Sequence, residues 1–177
     1  MKRTIAVLLA AVLPMTSMAN DDYKVATVIS TDDLEEVAAA APADRVSDQP
    51  VVHVESAEGR LGIGVVHRPV IEPGAPVQGI QHHNQSEVYR VMAGKGILVT
   101  GKTMSASTAL DPAGYVVTNL TGPSDTGVIE DIDNSQPIAA GDIVIIPAGV
   151  AHGFSEISEP ITYMVVRVDP DRLVQLK

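Results

Sequence analysis

Short apolar runs alternate with polar breaks along most of this chain, and the runs are rich in Val and Ile. From residue 51 onward they read VVHVES, LGIGVVH, EVYRVMAG, GILVTG, GYVVTNL, DIVIIPAG and ITYMVVRV, separated by Gly, Pro, Asn and Asp. β-branched side chains are stiff at χ1 and pack well on a pleated surface, so runs of this length and composition predict strands. With no long helical pattern between them, they predict an all-β sandwich or barrel. In ITYMVVRV, Met164, Val166 and Val168 share one face and Tyr163 and Arg167 the other, which predicts a late strand with one buried side. Asp169-Pro170-Asp171 ends it.

Two segments depart from this texture. Residues 20–50 are acidic and alanine-rich; Ser30-Thr31-Asp32 offers a helix cap ahead of DLEEVAAAA, predicting one short helix over 32–40. A linker containing Pro42 and Pro50 follows, and a disordered leader is the alternative reading. Residues 103–139 carry the turn clusters GPSDTG and DNSQP. A structureless loop of that length is uncommon in a compact domain, so GYVVTNL is expected to add strands that fold over an opening, as a candidate lid.

The first residues have a different character. Lys2 and Arg3 precede an apolar run over 5–13, and Ser17-Met18-Ala19 has the small-x-small pattern of a cleavage site. The run is far short of the roughly 20 residues that span a bilayer. A secretory signal peptide over 1–19, cleaved after Ala19, is therefore expected, followed by the helix and linker over 20–50 and a barrel over 51–177. The chain has no cysteine, hence neither a disulfide nor a lipid-modified cysteine. A soluble periplasmic or secreted protein is the expectation.

Charge narrows the partners. Loss of Lys2 and Arg3 takes the basic count from 12 to 10 against 22 acids, so the net charge moves from -10 to -12. Nucleic acid and anionic membranes both need a basic surface, so this balance argues against both as partners and says little about a small-molecule ligand. Four Tyr, one Phe and no Trp also give little of the aromatic platform on which sugars stack.

Two stretches carry candidate chemistry. In GIQHHNQSEVYRVMAGKG, residues 79–96, His82 and His83 sit five and four positions ahead of Glu87. In GDIVIIPAGVAHGFSE, residues 141–156, an uncharged strand runs into Pro147, Gly149 and His152. A Pro-x-Gly turn has little backbone freedom and can aim the histidine that follows it.

Together these stretches resemble the cupin family. Its first motif, glycine, five residues, His-x-His, three or four residues, glutamate, six residues, glycine, is met by Glu87 and Gly94 with His83 or His82 ahead of them. Its second, glycine, five residues, Pro-x-Gly, two residues, histidine, is met by Gly141, Pro147, Gly149 and His152. The resemblance covers about residues 51–168 and implies a single small jelly-roll barrel whose two motifs bring ligands to one metal ion. The first histidine of His-x-His falls on Gln81 in one register and on Ile80 in the other, where Gly74 takes the leading glycine. The asparagine after His152 is replaced by Glu156.

The ligand set implied is one imidazole from 82 or 83, the Glu87 carboxylate and His152. Alternation along a strand lets only one of two adjacent histidines face the interior. His83 is expected, because Gln81 on the same face could add a weak oxygen ligand; His82 is the alternative. Tyr89 and Val91 share the alternation of Glu87, with Tyr89 able to donate a hydrogen bond or act as an acid, and Arg90 points outward. Phe154 is expected to wall the pocket, while His53 and His67 read as ordinary strand residues.

Two histidines and one carboxylate leave coordination positions open and suit Fe, Zn, Mn, Ni or Cu; affinity alone favours Cu and Zn outside the cytoplasm. The resemblance then implies a metal-dependent protein acting on a small organic molecule, the metal serving as Lewis acid and Glu87 as ligand or base, with dioxygenase, lyase and isomerase chemistry as rivals. The alternatives are a non-catalytic module that binds metal or a small molecule, and a polar cluster that binds no metal. Pairing into a homodimer through an edge strand or the N-terminal segment is a further implication of the family.

Overall fold

The computed structural model describes residues 25–175. The expected signal peptide and its cleavage site lie outside them. The described residues form one short helix, α1 (Thr31–Ala39), and nine strands: β1 (Ser47–Ser56), β2 (Gly59–Arg68), β3 (Gln78–His82), β4 (Ser86–Gly101), β5 (Met104–Ala109), β6 (Ser124–Ile129), β7 (Ile132–Ala139), β8 (Ile143–Ile146) and β9 (Ala151–Asp169). The all-β expectation with one short N-terminal helix holds.

α1 begins where the capping signal places it. Ser30 Oγ accepts from the Asp33 N–H at 3.1 Å and the Asp33 carboxylate accepts from the Ser30 N–H at 2.9 Å, a reciprocal capping box that satisfies two otherwise orphan donors.

Two expectations are corrected. Pro50 belongs to β1 rather than to a linker; the register slips between Pro50 and Val52, so a bulge accommodates a residue with no N–H to give the ladder. GYVVTNL forms no strand. Residues Val117–Thr121 make a π-helical turn, because local side chains satisfy the backbone first: Asp111 Oδ1 takes the Ala113 N–H, Thr118 Oγ1 donates to the Gly114 carbonyl, and Asn119 Nδ2 donates to the Tyr115 carbonyl. The turn borders the interior cavity through Thr121, while β5, β6 and β7 supply the strands of this region.

All pairings are antiparallel. The sheet runs β1-β2-β9-β3-β6-β5, and β4 pairs with β7, β8 and β9. β9 organises the molecule. Its later half lies between β2 and β4, and its first residues reach β3, where Ile80 pairs with His152.

The inward faces of β4 and β9 meet in one apolar core that includes Val91, Leu98, Ile157, Ile161, Tyr163 and Val165. Ile157, Ile161 and Val165 are fully shielded, each contributing roughly 1.5–3 kcal/mol by leaving water. A smaller cluster, Val77, Val99, Ile129 and Ala151, fills the end towards β6. Between β2, β3, β4 and β9 the interior turns polar.

Candidate metal centre

Three ligating side chains converge in that polar interior. Glu87 is the second residue of β4 and 1% exposed; His152 is the second residue of β9; His82 is the last residue of β3. One ligand atom from each lies within 4.8 Å of the others, and both Nε2 atoms are 3.3 Å from Glu87 Oε2. The group is buried and could hold a metal ion.

The preference for His83 is corrected. β3 pairs His82 with Ser124 and Ile80 with His152, so the even positions of this strand face the interior and Gln81 faces away. Gln81 Nε2 donates to the Gly149 carbonyl at 2.6 Å. His83 lies beyond the strand, half-exposed, with Nε2 3.2 Å from Asp125 Oδ2. The register that aligns His82 with the family motif puts Ile80 in the first-histidine position, and Ile80 does line the cavity.

Two glycines make the convergence possible. Gly149, at φ +79°, lets the turn after β8 fold back so that its N–H donates to the His82 carbonyl at 2.8 Å. At Gly153 a Cβ would collide with the Gln78 carbonyl, so a side chain there would push β9 off β3 and His152 away from His82.

A hydrogen bond assigns the His152 tautomer. His152 Nδ1 is 3.0 Å from the Val150 carbonyl, which can only accept, so Nδ1 carries the proton. His82 Nδ1 is 2.9 Å from Ser124 Oγ, a hydroxyl that also has the Gly122 carbonyl at 3.0 Å and the Thr121 hydroxyl at 3.2 Å in reach. With Nδ1 as the donor on each ring, both Nε2 lone pairs are aimed at the point where Glu87 Oε2 lies. Burial pushes the His82 imidazole below its usual value against the opposing pull of Glu87, which favours the neutral ring.

Glu87 is held from several sides. Oε2 accepts from the Tyr89 hydroxyl at 2.7 Å, and Oε1 accepts from Arg167 Nε at 2.8 Å. Burial alone would raise the Glu87 carboxyl; the charge of the Arg167 guanidinium outweighs it and holds the group well below the usual carboxylate range. Arg167 is in turn clamped by Asp48, with Nη1–Oδ1 at 3.1 Å and Nη2–Oδ2 at 2.7 Å. Burial pushes the Tyr89 phenol well above its ordinary value, so it remains a donor.

Arg167, Asp48 and Ser124 are the supporting residues that sequence reasoning missed. ITYMVVRV was expected to have one buried side; that side carries Tyr163, Val165 and Arg167, while Val168 is 39% exposed. The available signal was the cross-strand need of a buried Glu87 for a cation. Phe154 packs one layer behind the cavity, stacked on Tyr163 with 6.4 Å between ring centroids, and does not wall it. His53 and His67 lie on β1 and β2, apart from the cluster, with His67 Nδ1 3.1 Å from Thr162 Oγ1. The cavity itself measures about 50 Å³, against roughly 10–15 Å³ for one water.

No family model and no curated protein matches the chain. Among solved structures it is similar to the DMSP lyase DddQ from Ruegeria pomeroyi DSS-3, at 16% identity over 70% of this chain and 47% of that one, with a TM-score of 0.42. The chain thus spans about half the length of that lyase. It is also similar to a Cupin 2 conserved barrel domain protein from Salinispora arenicola CNS-205, at 18% identity over 82% of this chain and 90% of that one, with a TM-score of 0.42. A conserved protein of unknown function from Streptococcus pyogenes shares 16% identity over 89% of this chain and 98% of its own, with a TM-score of 0.44. The chemistry of the site stands on this chain's own side chains. One of these neighbours is a Cupin 2 conserved barrel domain protein, and this chain is a mostly β-strand, antiparallel protein with one short N-terminal helix and a buried His82–Glu87–His152 group.

Proposed function

We propose that the chain is a metal-dependent cupin acting on a small organic molecule, with His82, Glu87 and His152 holding one divalent ion. The observation that supports this is the convergence of three ligating side chains in one buried spot: the Nε2 atoms of His82 and His152 are each 3.3 Å from Glu87 Oε2, and one ligand atom from each residue lies within 4.8 Å of the others. With both rings protonated at Nδ1 these atoms are all acceptors, and a cation among them relieves their repulsion. Two imidazoles and a carboxylate suit Zn, Fe, Mn, Ni or Cu. When bound, the ion would supply Lewis-acid activation of a chelating oxygen, with dioxygenase chemistry open to a redox-active metal.

The chain's own residues then have separable tasks. Arg167 takes Glu87 Oε1 and leaves Oε2 for the ion. Tyr89 keeps its phenolic proton and serves as the donor, or acid, nearest that oxygen. Ile80 offers no ligand atom on its side of the cavity, leaving positions for substrate. Export by the N-terminal leader and pairing with a second copy belong to the same proposal.

Elemental analysis of protein purified without chelator tests it, beside Glu87→Gln and His152→Ala. About one equivalent of metal per chain is expected in the parent and none in either variant. Retention by a variant, or no uptake by the reconstituted parent, overturns the proposal.

A further inference from the structure

Four charged side chains line the cavity: Asp48, Arg68, Glu87 and Arg167. Arg167 is spent, with Nε on Glu87 and both Nη atoms on Asp48. Arg68 is not. Its one hydrogen bond among the described residues runs from Nε to the Tyr163 hydroxyl at 3.0 Å. A guanidinium carries five N–H donors in a rigid fork, so among the described residues the Nη donors of Arg68 have no protein acceptor.

The fork is also held in position. The Arg68 guanidinium carbon lies 5.5 Å from the Phe154 ring centroid, a cation–π contact. Tyr163, which anchors Nε, stacks on Tyr89 at 4.2 Å between centroids, and Tyr89 bonds Glu87. Arg68 and the ligand group are therefore joined by one continuous wall of two tyrosines. Charge completes the picture: two arginines and two carboxylates cancel, so a divalent ion would leave an excess of two positive charges beside the apolar Val46, Val66 and Ile80. Unbalanced positive charge in a partly enclosed cavity attracts an anionic occupant.

We infer that Arg68 is the anion-recognition fork of this cavity, and that the substrate is a small carboxylate-bearing molecule. Its carboxylate is bound by Arg68 Nη1 and Nη2 while a neighbouring oxygen of the same molecule faces the His82–Glu87–His152 group. The inference rests on the metal reading for that second contact, but the fork itself consists of residues outside the ligand set. Planar bidentate recognition of a carboxylate is what distinguishes arginine from lysine.

The test uses glycolate and its neutral isostere glycolamide, titrated calorimetrically into the zinc-loaded protein. Glycolate is expected to bind at least about tenfold more tightly, the scale of one charge-assisted contact. Arg68→Met should bring the two affinities within about twofold of each other while zinc content stays unchanged, and Arg68→Lys should restore only part of the preference. Equal affinity in the parent, no measurable glycolate binding, or a preference that survives in Arg68→Met overturns the inference; the parent comparison stands even if a variant fails to fold. The metal-free protein is titrated in parallel. Arg68-dependent glycolate binding by a protein that takes no metal would sink the metal reading and keep the fork, whereas zinc uptake without any preference would sink the fork alone.

Discussion

Glu87 on β4 and Arg167 on β9 stand directly opposite each other across the strand pair, and Arg167 Nε donates to Glu87 Oε1 at 2.8 Å. The same guanidinium grips Asp48 through its two Nη atoms, so one arginine neutralises carboxylates from two other strands. Removing it leaves both unpaired. We expect Arg167→Met to lose roughly 3–5 kcal/mol of stability, measured by urea unfolding of the metal-free protein at neutral pH. A loss within the range of a surface substitution would show that the network is dispensable.

Acid should expose the same relationship. The folded Glu87 carboxyl lies below its unfolded value of roughly 4.3, so its contribution is present above that value and is lost as pH falls through the folded one. Metal-free protein should therefore keep its urea midpoint down to about pH 4.5 and lose it below that. In Arg167→Met, burial acts on Glu87 with less opposition and the acid limb should move to higher pH. An unmoved limb would count against the pairing.

The two adjacent histidines should separate cleanly. His82→Ala is expected to lose bound metal, while His83→Ala and Gln81→Ala keep it, because neither of the latter side chains points to the cluster. Elemental analysis of the three variants decides this; metal loss in His83→Ala would contradict the β3 register.

Ser124 touches no ligand atom that would face an ion, yet its Oγ holds His82 from behind, 2.9 Å from Nδ1. Ser124→Ala should weaken metal affinity about 10–100-fold without abolishing the site. Competition with a chromogenic chelator measures it, and unchanged affinity would mean that His82 is oriented by packing alone.

Much of this was legible in the chain itself. The spacing from Glu87 to Gly94 and from Gly141 through Pro147 and Gly149 to His152 named two of the three converging side chains, because those glycine and proline positions are dictated by turns next to the ligands. The choice between His82 and His83 was not legible: it depends on which face β3 turns inward, and that parity is set by pairing with Ser124 and His152, far away in sequence. Arg167 escaped for a related reason. Apolar alternation on β9 favours the Met164 face, but a buried carboxylate across the strand pair outweighs it and draws an arginine inside. The segment GYVVTNL misled because local side-chain bonds to its own backbone beat its β-branched composition.

β9 supplies His152 near its start and Arg167 near its end, and it follows Asp48, His82 and Glu87 in the order of synthesis. A chain made from its N-terminus presents an incomplete donor set, and an uncompensated Glu87, until this strand has been added and laid between its neighbours. On the metal reading proposed above, the full donor set for an ion exists only once β9 is in place, so loading would follow its addition and draw on the metal supply at the place of folding.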